Sequence, residues 1–226
     1  MGSGERQKFN WRRSLALSLH ALREAGLLKH SVVVLIGSYA RGARTSRSDV
    51  DLLVLLQEPK RPKLKAPYGI HLQFEDIARF RRRLEEGDDY VIAALKFGKL
   101  LHDSDNLWGD LLQQAKSGRW PDWRDKFKQA ERRIRMADEL LVMDDIDAAT
   151  EEYLAIATQI ARGILLRHGE YPLSRPELTK QLLARGETTL AANLEKLIEG
   201  ECDKEQLRKI ASDLHRALAL EVARVH

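Results

Sequence analysis

Two short runs stand close together near the start of the chain, Val32-Val33-Val34-Leu35-Ile36 and Val50 to Leu56, the second apolar but for Asp51 near its start. Runs this short and this apolar, with β-branched residues among them, fit buried strands of one sheet. Residues 37–49 between them are rich in glycine, serine and arginine and read as a turn. Such a sheet has an apolar interior with two acids, Asp49 and Asp51, at one end. Carboxylates held together at the edge of an apolar strand are unfavourable unless something cationic neutralises them.

The flanking sequence supplies the rest of an α/β unit. Helical spacing of leucines over residues 10–25 ends at Gly26, a third strand is expected near residues 69–74, and helices follow at 76–86 and 88–97. Gly98 then breaks the pattern before a short edge strand at 99–102. From residue 106 onward β-branched runs disappear, and helices are expected at 106–116, 123–142, 147–167, 175–184, 190–198 and 203–225. The predicted fold class is α+β: a small mixed sheet flanked by helices in a domain of residues 1–117, then an all-helical bundle of residues 118–226. Gly118 and Pro121 mark the boundary. Trp108, Trp120 and Trp123 lie around it, where large aromatics are expected to cement a contact between domains.

Composition excludes several classes. With 43% hydrophobic and 32% charged residues the chain is expected to pack a core. No apolar run approaches the roughly 18–20 residues needed to span a bilayer, and the charged N-terminus (Glu5, Arg6, Lys8) lacks a signal-peptide apolar region, so no membrane association and a cytoplasmic location are expected. The single cysteine, Cys202, forms no internal disulfide and no cysteine cluster, which leaves oxygen or imidazole ligands for any metal. Residues 1–105 carry 19 Lys and Arg against 13 Asp and Glu, and the remainder 19 against 21. The first half is the one suited to a polyanion such as a triphosphate, although solvated surface charge produces the same bias.

The motif between the strands carries the chemistry. Strand alternation places Asp49 and Asp51 on one face with α-carbons roughly 6–7 Å apart, where they can share a divalent cation, and Mg2+ with its preference for carboxylate, water and phosphate oxygens is the economical candidate. Gly37-Ser38 follows the first strand directly, so its backbone N–H groups can face a phosphate; the Ser38 hydroxyl adds a donor and Arg41, Arg44 or Arg47 positive charge. These parts fit in-line phosphoryl chemistry.

The stretch GSYARGARTSRSDVDLLV resembles the GS…SDxDLLV signature of the minimal nucleotidyltransferases, in the superfamily of kanamycin nucleotidyltransferase and DNA polymerase beta. The resemblance runs from about residue 30 to 103. It implies that Gly37 and Ser38 hold the triphosphate and that Asp49 and Asp51 bind Mg2+; Arg41 and Ser48 complete the nucleotide-binding set. The family carries a third carboxylate on a later strand, and here Ile70-His71-Leu72-Gln73-Phe74 has none. His71, Gln73 and Glu75 share one face of that strand, and His71, as base or ligand, joins Asp49 and Asp51 as a catalytic candidate.

The helical half resembles the HEPN-like or substrate-binding domains that accompany these enzymes. In some of those an Arg and a later His form a ribonuclease site, but Arg162 and His168 are six residues apart, or 240° around an ideal helix, and read better as surface or helix-end residues. In some paired systems of that family a tyrosine accepts nucleotide, which makes Tyr171, in the turn after that helix, a candidate, but one aromatic in a turn reads better as packing. The expected function is Mg2+-dependent transfer of a nucleoside monophosphate, AMP from ATP, to an acceptor hydroxyl of a small molecule, protein or RNA, with a homodimer one way to complete an open cleft. The alternative is a nucleotide-binding regulatory module without turnover.

Overall fold

The computed structural model describes residues 10–44, 48–58, 62 and 64–224. The chain divides into two compact units, Met1–Pro121 and Asp122–His226. The division lies at the end of the stretch of residues 117–121, which runs from Ser117, the C-cap of one helix, to just before Asp122, the N-cap of the next.

The first unit runs α1 (Trp11–Glu24), β1 (Ser31–Ile36), α2 (Gly37–Arg41), β2 (Val50–Leu56), β3 (Ile70–Asp76), α3 (Ile77–Glu85), α4 (Asp89–Phe97), β4 (Lys99–Asp103) and α5 (Leu107–Lys116). Its sheet has the order β3-β2-β1-β4. β1 is antiparallel to both β2 and β4, whereas β2 and β3 are parallel, so the sheet is mixed as expected. The central strands are buried along nearly their whole length, which is why their sequence is apolar rather than alternating. One face, carrying Val34, Ile36, Leu53 and Leu55, packs against Phe80 and Leu84 of α3, Val91 and Leu95 of α4 and Trp108 of α5. The other carries Val33, Val54 and Leu56 against Leu22 of α1, and Leu35 and Leu52 against Trp11 and Leu15. Phe80 is fully buried, and truncating it to alanine is worth about 3–5 kcal/mol of stability.

Side-chain caps set the helix starts. Asn10 accepts a hydrogen bond from the Arg13 amide at 3.2 Å, and Asp76 accepts from that of Arg79 at 2.8 Å. At α4 the Asp88 carboxylate accepts from the Tyr90 and Val91 amides at 2.9 and 3.1 Å.

The second unit is helical throughout: α6 (Trp123–Val142), α7 (Ile146–Arg167), α8 (Arg175–Ala184), α9 (Thr188–Glu199) and α10 (Lys204–Ala223). α7 is the central helix, with Tyr153, Ile156, Ala157, Ile160 and Leu165 fully buried. An apolar surface on nearly all sides is what a helix enclosed by others requires. A capping box between Ser174 and Glu177 starts α8. No helix among the described residues is long and apolar enough to cross a membrane.

The three tryptophans belong to separate environments. Trp108 lies in the α/β core, Trp120 is exposed with the Lys96 ammonium 5.8 Å from its ring centroid, and Trp123 packs edge-on to Phe127 of the helical core at 5.8 Å.

Candidate active site

The register of the sheet assembles the acids with their neighbours. Asp51, near the start of β2, pairs with Ile36 at the end of β1 and with His71 near the start of β3. Gly37 therefore follows directly beside Asp51 as the chain leaves β1. It adopts φ +72°, and a Cβ on it would stand 2.7 Å from Asp51 Oδ2. Glycine is required twice over here, for a left-handed backbone and for the space the carboxylate occupies.

Gly37 and Ser38 open the short helix α2, whose N-cap residue, Ile36, has no polar side chain, and no side chain caps its first turn. Gly42, at φ 76°, ends it. Arg41, in its last turn, lies with its guanidinium 5.9 Å from the Phe97 ring centroid, while Arg44 leans over Tyr39 and Trp11 at 5.7 and 5.9 Å. Ser48 is half-buried just before β2. Arg47 lies outside the described residues.

Asp49 is exposed immediately before β2, and Asp51 is half-buried. Burial pushes the Asp51 carboxyl above its ordinary value of 3.8; the His71 imidazole pulls the other way, and the charge of Asp49 adds to the rise. Among the described residues no lysine or arginine pairs with Asp51, whose hydrogen-bonding neighbour is His71, Nδ1 to Oδ1 at 3.2 Å. Two adjacent carboxylates, one of them partly desolvated, fit a divalent cation that keeps part of its water shell. No group of three or more His, Cys, Asp and Glu side chains among the described residues is placed to hold a metal ion by itself, so phosphate and water oxygens would have to complete the shell.

The polar residues on the face of β3 beside Asp51 have definite partners. Glu75 lies one pleat too far along β3: both its oxygens accept from Arg83 Nη1 of α3, at 2.8 and 3.0 Å, and the side chain is 12% exposed. Arg83 also binds Asp88 at 3.0 and 3.1 Å. His71 and Gln73 share the face of Asp51, with Gln73 Nε2 3.3 Å from His71 Nδ1. The Tyr90 hydroxyl of α4 donates to Gln73 Oε1 at 2.5 Å. Burial, and then the charge of Glu75, push the Tyr90 phenol up to about 12, so it remains a donor at physiological pH.

Tyr90 and Arg83 are the residues that sequence reasoning missed. Tyr90 reads as one apolar position of α4, and only the fold brings its hydroxyl to a residue 17 positions earlier. A usable signal was Asp88, whose N-cap role fixes where α4 begins.

In the helical unit α7 ends at Arg167 with His168 as its C-cap, and Arg167 hydrogen-bonds to the buried Glu221 of α10. His168 has its charged form disfavoured by desolvation and then by Arg185 and Arg167. Tyr171 is 6% exposed. A side chain so enclosed is not presented to a nucleotide as an acceptor, and the turn position that made it a candidate is a packing position.

Residues 19–103 match the family model of the nucleotidyltransferase domain. No curated protein matches the chain. A solved structure that does is a nucleotidyltransferase-like protein from Exiguobacterium sibiricum 255-15, 17% identical, with a TM-score of 0.50 over 93% of this chain and 76% of that one. At that identity the likeness is one of fold. The α/β unit is thus similar in sequence to nucleotidyltransferase domains, and the chain is similar in fold to a nucleotidyltransferase-like protein.

Proposed function

We propose that the protein is a divalent-cation-dependent nucleotidyltransferase that moves AMP from ATP to an acceptor hydroxyl. The observation that carries this reading is the Asp51 carboxylate lying against Gly37 at the first turn of α2, two residues from a second acid. That places negative charge for a cation beside backbone donors for a phosphate.

In this reading Asp49 and Asp51 hold Mg2+, which when bound supplies neutralising charge between the carboxylates and the triphosphate. Gly37 and Ser38 bind phosphate oxygens through backbone N–H groups and the serine hydroxyl, while Ser48 and Arg41 add contacts to the nucleotide. The acceptor oxygen attacks the α-phosphorus in line, the bond from that phosphorus to the bridging β-oxygen breaks, and pyrophosphate leaves. The acceptor proton goes to solvent or to a base on the acceptor side. We assign the helical unit, as a HEPN-like domain, to acceptor binding.

Incubation of the full chain with α-labelled ATP, Mg2+ and pools of small-molecule, protein and RNA acceptors tests the proposal. Labelled product and pyrophosphate are expected, and both are lost in Asp49→Asn and Asp51→Asn. Uptake of Mg-ATP in calorimetry with no pyrophosphate from any pool would overturn transfer. It would favour the second reading, a nucleotide-binding module, which is supported by the capture of Glu75 by Arg83 and the absence of an acid at residues 71 and 73.

A further inference from the structure

We infer that a cavity in the helical unit, between the start of α9 and the second half of α10, is a binding site for a short primary ammonium ion, with Glu187, Asn193 and Asp213 as its hydrogen-bond acceptors. It lies wholly inside that unit and is independent of nucleotide transfer.

Sequence spacing makes the cavity. Asp213, Ala217 and Glu221 follow one another at four-residue intervals along one face of α10, and the small Ala217 leaves a notch between the two acids. Ile164 of α7, Leu190 of α9 and Leu214 of α10, which are 3%, 6% and 0% exposed, give it apolar walls. The enclosed space is about 170 Å3. Sites for drug-sized molecules begin at roughly 300 Å3, so this one fits a molecule of a few heavy atoms.

The polar groups are committed at one end and uncommitted at the other. Glu221 accepts from Arg167 and from Arg224 Nη1, the latter at 2.6 Å, and is neutralised. Asn193, 9% exposed, gives its amide nitrogen to Asp213 Oδ2 at 3.2 Å. An ionised carboxylate only accepts, which fixes that orientation of the amide. The Asn193 carbonyl oxygen is the atom left over, and among the described residues nothing donates to it. Asp213 has no lysine or arginine partner among those residues. Glu187 stands at the N-cap position of α9 without capping it, and its carboxylate makes no hydrogen bond or ion pair with any described residue. Of the basic groups around it, Arg185 pairs with Glu170 at 3.6 Å. His168 has its charged form disfavoured by desolvation and then by Arg185 and Arg167, so it brings no positive charge at neutral pH.

Two carboxylates and a buried carbonyl around an apolar-walled gap call for an occupant that is cationic, donates hydrogen bonds and carries hydrocarbon. A primary ammonium has three N–H donors, one for each acceptor, and charge-assisted bonds to carboxylates are about twice as strong as neutral ones. An anion is opposed by the uncompensated acids. A metal ion fits less well, because no group of three or more His, Cys, Asp and Glu side chains among the described residues is placed to hold one, and apolar walls offer its water shell no partners.

The full chain with n-butylammonium chloride tests this, read by saturation transfer to the butyl protons and by thermal unfolding. At millimolar concentration butylammonium is expected to receive saturation and to raise the melting temperature, increasingly with concentration, whereas n-butanol, sodium butyrate and potassium chloride do not reproduce the stabilisation. Glu187→Gln, which removes a charge without breaking a contact within the protein, is expected to weaken binding about 10-fold. Ala217→Leu, which fills the notch with hydrocarbon, is expected to abolish it, and the melting curve of each variant alone checks that it folds. No saturation of butylammonium, an equal response to any of the three controls, or unchanged binding in Glu187→Gln overturns the site, and the Glu187→Gln result decides even if Ala217→Leu does not fold. No readout uses ATP, so failure of nucleotide transfer and failure of this site are separate results.

Discussion

Gly37 and Asp51 meet so closely that a methyl group on residue 37 would stand 2.7 Å from Asp51 Oδ2. The contact joins the turn after β1 to the acid of β2 and fixes the carboxylate beside the first amides of α2. Gly37→Ala is expected to cost about 1–2 kcal/mol for the left-handed backbone alone, and more for the displaced carboxylate. Urea unfolding reads the loss of stability, and calorimetry with Mg-ATP is expected to show nucleotide binding weakened with it.

Asp51 carries a pH dependence whose sign follows from its surroundings. Its carboxyl is raised in the folded protein, chiefly by burial, so the unfolded chain releases the proton more readily. The favourable contribution is present below the unfolded value of about 3.8 and is lost as pH rises through the higher folded value. Asp51→Asn is therefore expected to melt higher than wild type at neutral pH, with the gap closing toward acid, while nucleotide transfer disappears. A melting temperature lowered at neutral pH would contradict the assignment.

The sheet and the acids were legible in the sequence because both are local patterns. The β1 and β2 spans follow from unbroken apolar runs, and the helix over residues 123–142 follows from period alone. Asp49 and Asp51 were visible because charge beside such a run is conspicuous. The fate of the third carboxylate was not legible. Glu75 shares the face of His71 by alternation, but whether it turns toward Asp51 or α3 depends on Arg83, eight residues on and across a strand-to-helix corner. The burial of Tyr171 agrees with the packing role that a lone aromatic in a turn most often has, although how deeply it lies is a property of what packs over the turn.

Arg83 is the keystone of the α3–α4 corner, and its removal tests that description. It is 25% exposed and satisfies Glu75 and Asp88, which are 12% and 29% exposed. Arg83→Met leaves the enclosed Glu75 with only the longer contact to the exposed Arg79, Nε to Oε1 at 3.9 Å, at a cost of about 3 kcal/mol. Glu75→Gln in the same chain is expected to restore part of the loss, because the neutral amide needs no cation. A double-mutant cycle by denaturant unfolding measures the coupling, and additive effects would mean that the pair is not energetically linked.

Gly163 tests the helical unit independently of any chemistry. It lies inside α7, where alanine is normally preferred to glycine by about 1 kcal/mol. A Cβ there would meet the Phe127 ring of α6 at 2.6, 2.8 and 3.0 Å, and Phe127 is 2% exposed, so the ring has little room to turn aside. The glycine is what lets the aromatic ring lie against the α7 backbone. Gly163→Ala is thus expected to be destabilising despite its helix propensity, by about 1–3 kcal/mol for the forced repacking. The double variant Gly163→Ala/Phe127→Leu, which removes the ring edge, is expected to be more stable than the sum of its single variants, as read from thermal or urea unfolding. If Gly163→Ala alone raised stability, the close approach of α6 and α7 at this point would be wrong.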